Sequence, residues 1–107
     1  MNDSRPLSLA TVRVLASIAN GVRHGFDIMD ASDLPSGTVY PILARLEKAG
    51  LIRGRWEAAE TAQRDKRPAR RYYEISASGS KALARSVEHY RTLGGLSLTQ
   101  PPRPARG

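Results

Sequence analysis

The chain has 107 residues, 40% apolar and 25% charged, with a formal net charge of +7 and no cysteine. That length suits one domain and excludes an α/β barrel of ~250 residues; the missing cysteines exclude a disulfide framework, a thiolate metal site and a thiol nucleophile. The apolar runs fall far short of the ~20 residues of a membrane span, no charged-then-apolar leader opens the chain, and the positive excess points to a polyanion, nucleic acid first, so a cytoplasmic nucleic-acid binder is expected.

The first predicted helix covers Ser8 to Ala19, with Val12, Leu15, Ile18 and Ala19 at helical spacing and Gly21 as its stop. A short second helix follows over His24 to Ala31, offering Phe26, Ile28 and Met29 to a core. Pro35-Ser36-Gly37-Thr38 reads as a helix start with Ser36 as its cap. The third helix runs on to Ala49. Val39, Ile42, Leu43 and Leu46 make one buried stripe on it, leaving Thr38, Tyr40, Pro41, Arg45 and Lys48 mostly off the stripe. Gly50 suits a left-handed exit. Two strands are predicted, Leu51 to Glu57 and Arg70 to Ile75, with Trp56, Tyr72 and Tyr73 as packing residues. Ala58 to Ala69 between them reads as a polar, basic loop. A last helix from Ser76 to about Leu93 carries a stripe of Leu83, Val87, Tyr90 and Leu93. The tail from residue 95 to 107, with three prolines and two arginines, is expected to be disordered.

Charge is concentrated in the middle third. Between Thr38 and Arg71 nine basic residues face four acidic ones, and Arg64, Lys66, Arg67, Arg70 and Arg71 crowd into one short stretch. Scattered solubility charge would mix signs, so this stretch is a candidate anion-binding surface. The order helix, helix, helix, strand, basic loop, strand, helix is that of a winged helix-turn-helix. In that layout the third helix enters the major groove and the two-stranded wing reaches the backbone or the minor groove. The fold class expected is therefore mainly α with a small β-hairpin. It would comprise a winged domain over 7–76 and a C-terminal dimerisation helix over 77–94.

Several segments resemble the PadR family of bacterial transcriptional regulators. They are His24-Gly25-Phe26-Asp27-Ile28, Ser36-Gly37-Thr38-Val39-Tyr40-Pro41-Ile42-Leu43, Arg45-Leu46-Glu47, Gly50-Leu51-Ile52, Trp56-Glu57 and Arg67 through Gly79. The resemblance covers roughly Leu7 to Leu93. The gap before the Ser-Gly-Thr segment is shorter than the family usually has, and the C-terminal part is a single helix and a tail. The resemblance implies a sequence-specific repressor that binds a palindromic operator in double-stranded DNA as a homodimer. It implies that Tyr40 meets a phosphate, beside Pro41 in the same motif. Ser36 and Thr38 at the helix start, with Arg45 and Lys48 one step apart, are candidates for backbone or base contact. Arg64, Lys66, Arg67 and Arg70 are candidates for phosphate contact from the wing, which adds affinity and salt dependence more than sequence choice. Leu83, Val87, Tyr90 and Leu93 are the candidate dimer contact. A small-molecule effector, where one acts, would lie between the last helix and the partner's first helix.

Two other readings stay open. In one, the acidic trio Asp27, Asp30 and Asp33 docks a protein and the basic wing only aids solubility. In the other, the wing holds nucleic acid without sequence choice. His24 and His89 lack metal-ligand spacing, no Gly-rich phosphate loop is present, and no catalytic constellation stands out, so neither an enzyme nor a cofactor is expected.

Overall fold

A computed structural model describes residues 6–94 of the chain. Its elements are α1 (Leu9–Ala19), α2 (Gly25–Ser32), α3 (Ser36–Lys48), β1 (Ile52–Trp56), α4 (Ala59–Arg64), β2 (Arg71–Ile75) and α5 (Ala77–Gly94). The predicted tail over 95–107 lies outside the described residues.

Helix α1 starts at Ser8, whose hydroxyl accepts from the Thr11 amide at 3.2 Å, and ends where Gly21 takes a φ of +94°. Val12, Val14, Leu15 and Ile18 are buried along it. Helix α2 is short enough to bury one stripe, Gly25, Ile28 and Ser32. Phe26 lies about 160° around the helix from Ile28 and is 73% exposed, so the expectation that it joins the core fails. The turn to α3 is made by Asp33 in the left-handed region, at φ 59°, followed by Leu34 and Pro35.

Helix α3 buries Val39, Ile42, Leu43 and Leu46, the stripe read from its periodicity. Its N-cap is Pro35, and Ser36 is the first helical residue without a side-chain capping bond, which corrects the expected role of Ser36. Pro41 sits inside the helix on its exposed side. Gly50, at φ +77°, closes the helix.

Strands β1 and β2 pair antiparallel, with Ile52 opposite Ile75, Gly54 opposite Tyr73 and Trp56 opposite Arg71. A bridge from His24 to Tyr72 and a bond from the Tyr73 amide to the Arg23 carbonyl (2.8 Å) tie the α1–α2 connection to the hairpin's outer edge. The stretch between the strands is more than a loop: it contains α4, with Ala62 buried. Trp56 is 64% exposed rather than packed in the core.

The core joins α1, α2, α3 and the inner ends of both strands through Leu15, Ile28, Leu43, Ile52 and Tyr73, among others. Burial pushes the Tyr73 phenol above its ordinary pKa. Helix α5 closes this core from its own side by packing small residues, Gly79, Ala82 and Ser86, inward. A side chain at Gly79 would collide with the Leu51 carbonyl oxygen, so only glycine admits this approach. The Ser86 hydroxyl accepts from the Leu7 amide (3.0 Å), and the Tyr90 hydroxyl donates to the Leu7 carbonyl (2.6 Å). Of the stripe expected to form a dimer contact, Leu83 packs against this core and Val87 and Tyr90 are half-buried, while Leu93 is 69% exposed.

Candidate nucleic-acid interface

One side of α3 is free. Ser36, Gly37, Tyr40, Pro41, Ala44, Arg45 and Lys48 are all exposed and recur at the spacing of a single helical face, opposite the buried stripe. Thr38 is half-buried on its flank. Five of the six residues predicted on this helix thus share one surface. Ala44 lies in its middle and was missed; its position four residues after Tyr40 was the available signal. Arg45 and Lys48 form no ion pair among the described residues. The neighbouring carboxylate of Glu47 is engaged by Arg71.

Tyr40 lies across the start of α2. A Cβ on Gly25 would fall 2.5 Å from its hydroxyl, so the glycine is what allows the ring to rest there, half exposed. Gly37, by contrast, faces open space and answers no close approach.

Two carboxylates organise the wing. Glu47 on α3 accepts from Arg71 at 2.6 Å. The Arg71 guanidinium also lies over the Trp56 ring, 5.2 Å from its centroid, and against Gly54, where a Cβ would collide with it. This contact braces the hairpin against α3. At the far end of the hairpin, Glu57 is nearly buried, with a side chain 6% exposed. It accepts two bonds from Arg67, at 2.7 and 2.8 Å, one from the Arg70 amide at 3.1 Å and one from the Tyr72 hydroxyl at 3.3 Å. The Arg67 guanidinium holds the Glu57 carboxyl down at about 2, against the opposing effect of burial, with the Arg70 amide and Tyr72 hydroxyl assisting. Arg67 reaches Asp65 as well, at 3.1 Å.

The predicted wing cations therefore divide. Arg64, Lys66 and Arg70 are exposed, with side chains in no ion pair among the described residues. Arg67 is half-buried and bound twice over. The signal for Glu57 was its place as one of few acids inside a basic stretch. His24 stands edge-on to Tyr72 and 3.1 Å from Asp27. Among the described residues no group of three or more His, Cys, Asp or Glu could hold a metal ion. No helix among the described residues is long and apolar enough to cross a membrane.

Comparison with known proteins agrees with this fold. The model of the Transcriptional regulator PadR-like family matches residues 14–85. No curated protein sequence matches significantly. Among solved structures, smu.1704 from Streptococcus mutans UA159 is similar at 25% identity over 83% of this chain and 84% of that one, with a TM-score of 0.64. A PadR family transcription regulator from Clostridium difficile R20291 superposes at a TM-score of 0.71, with 18% identity over 82% and 93% of the two chains. A PadR family regulator from Eggerthella lenta DSM 2243 does so at 0.60, with 20% identity over 79% and 77%.

Proposed function

The chain belongs to the PadR-like family of transcriptional regulators, and from that premise we propose that it is a repressor which binds a palindromic operator as a homodimer. The carrying observation is the single free face of α3, from Ser36 to Lys48, on the same molecule as the free cations of the wing. In this reading α3 enters the major groove, with Arg45 and Lys48 toward bases or phosphates and Tyr40, Ser36 and Thr38 toward the backbone. Arg64, Lys66 and Arg70 meet phosphates on either side. A two-fold dimer would set two α3 helices ~34 Å apart, one turn of the duplex. Occupation of a promoter by such a dimer would exclude polymerase.

The test is fluorescence anisotropy with the duplex upstream of the chain's own coding sequence, against a shuffled duplex of equal composition. Preference for the native duplex is expected. With roughly 6–10 phosphate contacts, affinity should fall by about 10³–10⁵ between 50 and 200 mM salt. Equal binding to both duplexes would overturn sequence-specific recognition at that site and leave electrostatic attraction alone.

A further inference from the structure

We propose that Glu57 is the positioning residue of the wing: by clamping Arg67 and the Arg70 backbone it holds the free cations Arg64, Lys66 and Arg70 where a phosphate backbone can meet them. The inference rests on the reading that the wing faces DNA, and it assigns Arg67 to the clamp instead of to the nucleic acid.

The geometry carries it. The strand pairing ends at Trp56 and Arg71, so in the fourteen-residue connection from 57 to 70 the regular backbone bonding is that of α4 and its exit. Glu57 joins this segment to the hairpin. Its backbone amide donates to the Arg70 carbonyl at 2.8 Å, and its carboxylate accepts the Arg70 amide, which closes the base of the connection. Its two-pronged contact with Arg67 then fixes the segment that follows α4, with Asp65 on the outer side of the same guanidinium. Arg64, Lys66 and Arg70 are each within three residues of Arg67. Ordering them in advance removes the conformational entropy that binding would otherwise have to remove.

Simple electrostatics predicts the opposite sign. Glu57 is a negative charge on the surface that would face a polyanion, and its removal should tighten binding. The clamp predicts that removal loosens it. Glu57→Gln is therefore the decisive variant, and a mixed-sequence duplex suffices as the probe, because phosphate contacts carry no sequence information. Full-length protein is titrated at several salt concentrations, with far-UV circular dichroism confirming that the helices persist.

The expected result is a loss of about tenfold at low salt and a fall of about 1 or more in the slope of log affinity against log salt. Arg67→Gln should weaken binding comparably, and the double variant should bind no more weakly than Arg67→Gln alone, since both changes break one device. Glu57→Gln binding as tightly as the parent, or tighter, would overturn the proposal, provided that the triple alanine variant of Arg64, Lys66 and Arg70 loses affinity. A multiplicative loss in the double variant would overturn the assignment of Arg67 to the clamp. A triple variant that binds like the parent would instead remove the underlying reading of the wing as a DNA contact, and the proposal with it.

Discussion

Lys66 holds a φ of 56° at the exit of α4, a backbone region that disfavours any residue with a Cβ. Glycine is the ordinary occupant of such a position. A long cation there gives up about 1–2 kcal/mol of local backbone energy relative to glycine, offset in part by the ~0.5–1 kcal/mol that glycine loses through its freer unfolded chain. Stability alone thus gives no reason for lysine at this point, whereas a cation at the outer end of the wing does. Lys66→Gly is expected to leave the thermal midpoint unchanged or slightly raised. It should weaken DNA binding on any sequence and lower the salt slope by about 1. Unfolding scans and anisotropy titrations on the same sample check both halves; unchanged affinity would deny Lys66 a phosphate contact. Gly25 is tuned in the other direction. Its missing side chain lets Tyr40 lie over the start of α2, so a residue on one helix sets the pose of a candidate contact on the next.

At the scale of elements, the wing and the core answer pH differently. The Glu57 carboxyl, whose ordinary value is 4.5, is held at about 2 in the folded protein. Its bonds therefore contribute in full above about pH 4.5 and are lost as pH falls toward 2. The apolar contacts of Leu15, Ile28 and Leu43 carry no titrating group. Trp56 is the chain's one tryptophan and sits on β1 directly before Glu57. Its fluorescence should change between pH 4.5 and 2, ahead of any loss of the far-UV helical signal. A single coincident transition, or one that Glu57→Gln leaves unmoved, would contradict an independently opening wing. The same division explains what the sequence disclosed. Helices α1 and α3 were readable because their apolar residues recur at helical spacing and their ends carry Ser8, Gly21 and Gly50. Helix α4 was not, because six residues with one buried alanine have no periodicity, and contacts such as the Arg67 clamp hold the segment from outside. The inward face of α5 was missed for a related reason. Close packing on α1 and Leu51 selects Gly79, Ala82 and Ser86, and a search for large apolar residues passes over small ones. The free face of α3 was visible as the complement of its stripe, but the carboxylates that brace the wing join residues far apart in the chain, 24 positions for Glu47 and Arg71.

For the whole molecule, the question is what a single chain leaves uncovered. Helix α5 spends its small-residue face on its own protomer, and the Tyr90 bond to Leu7 sets its last turns beside the start of α1. At that end Leu93 is 69% exposed and Leu9 42% exposed. In the proposed homodimer these two side chains are the apolar groups of α1 and α5 left for a partner. A second copy would cover them and double the number of α3 helices presented to the duplex. Tethering two binding units in this way raises affinity by about 10²–10⁴ without any new contact to DNA. Leu93→Lys isolates this effect. Because Leu93 is exposed, its replacement leaves the core intact, and a cation in the last turn of a helix is favourable to that helix. The added positive charge would by itself strengthen attraction to DNA. The variant is nevertheless expected to sediment as a monomer where the parent sediments as a dimer, and to bind the upstream duplex about 10²-fold more weakly. Equal sedimentation of the two proteins would show that the exposed end of α5 does not hold the dimer together. A monomeric variant with undiminished affinity would show that one α3 and one wing suffice.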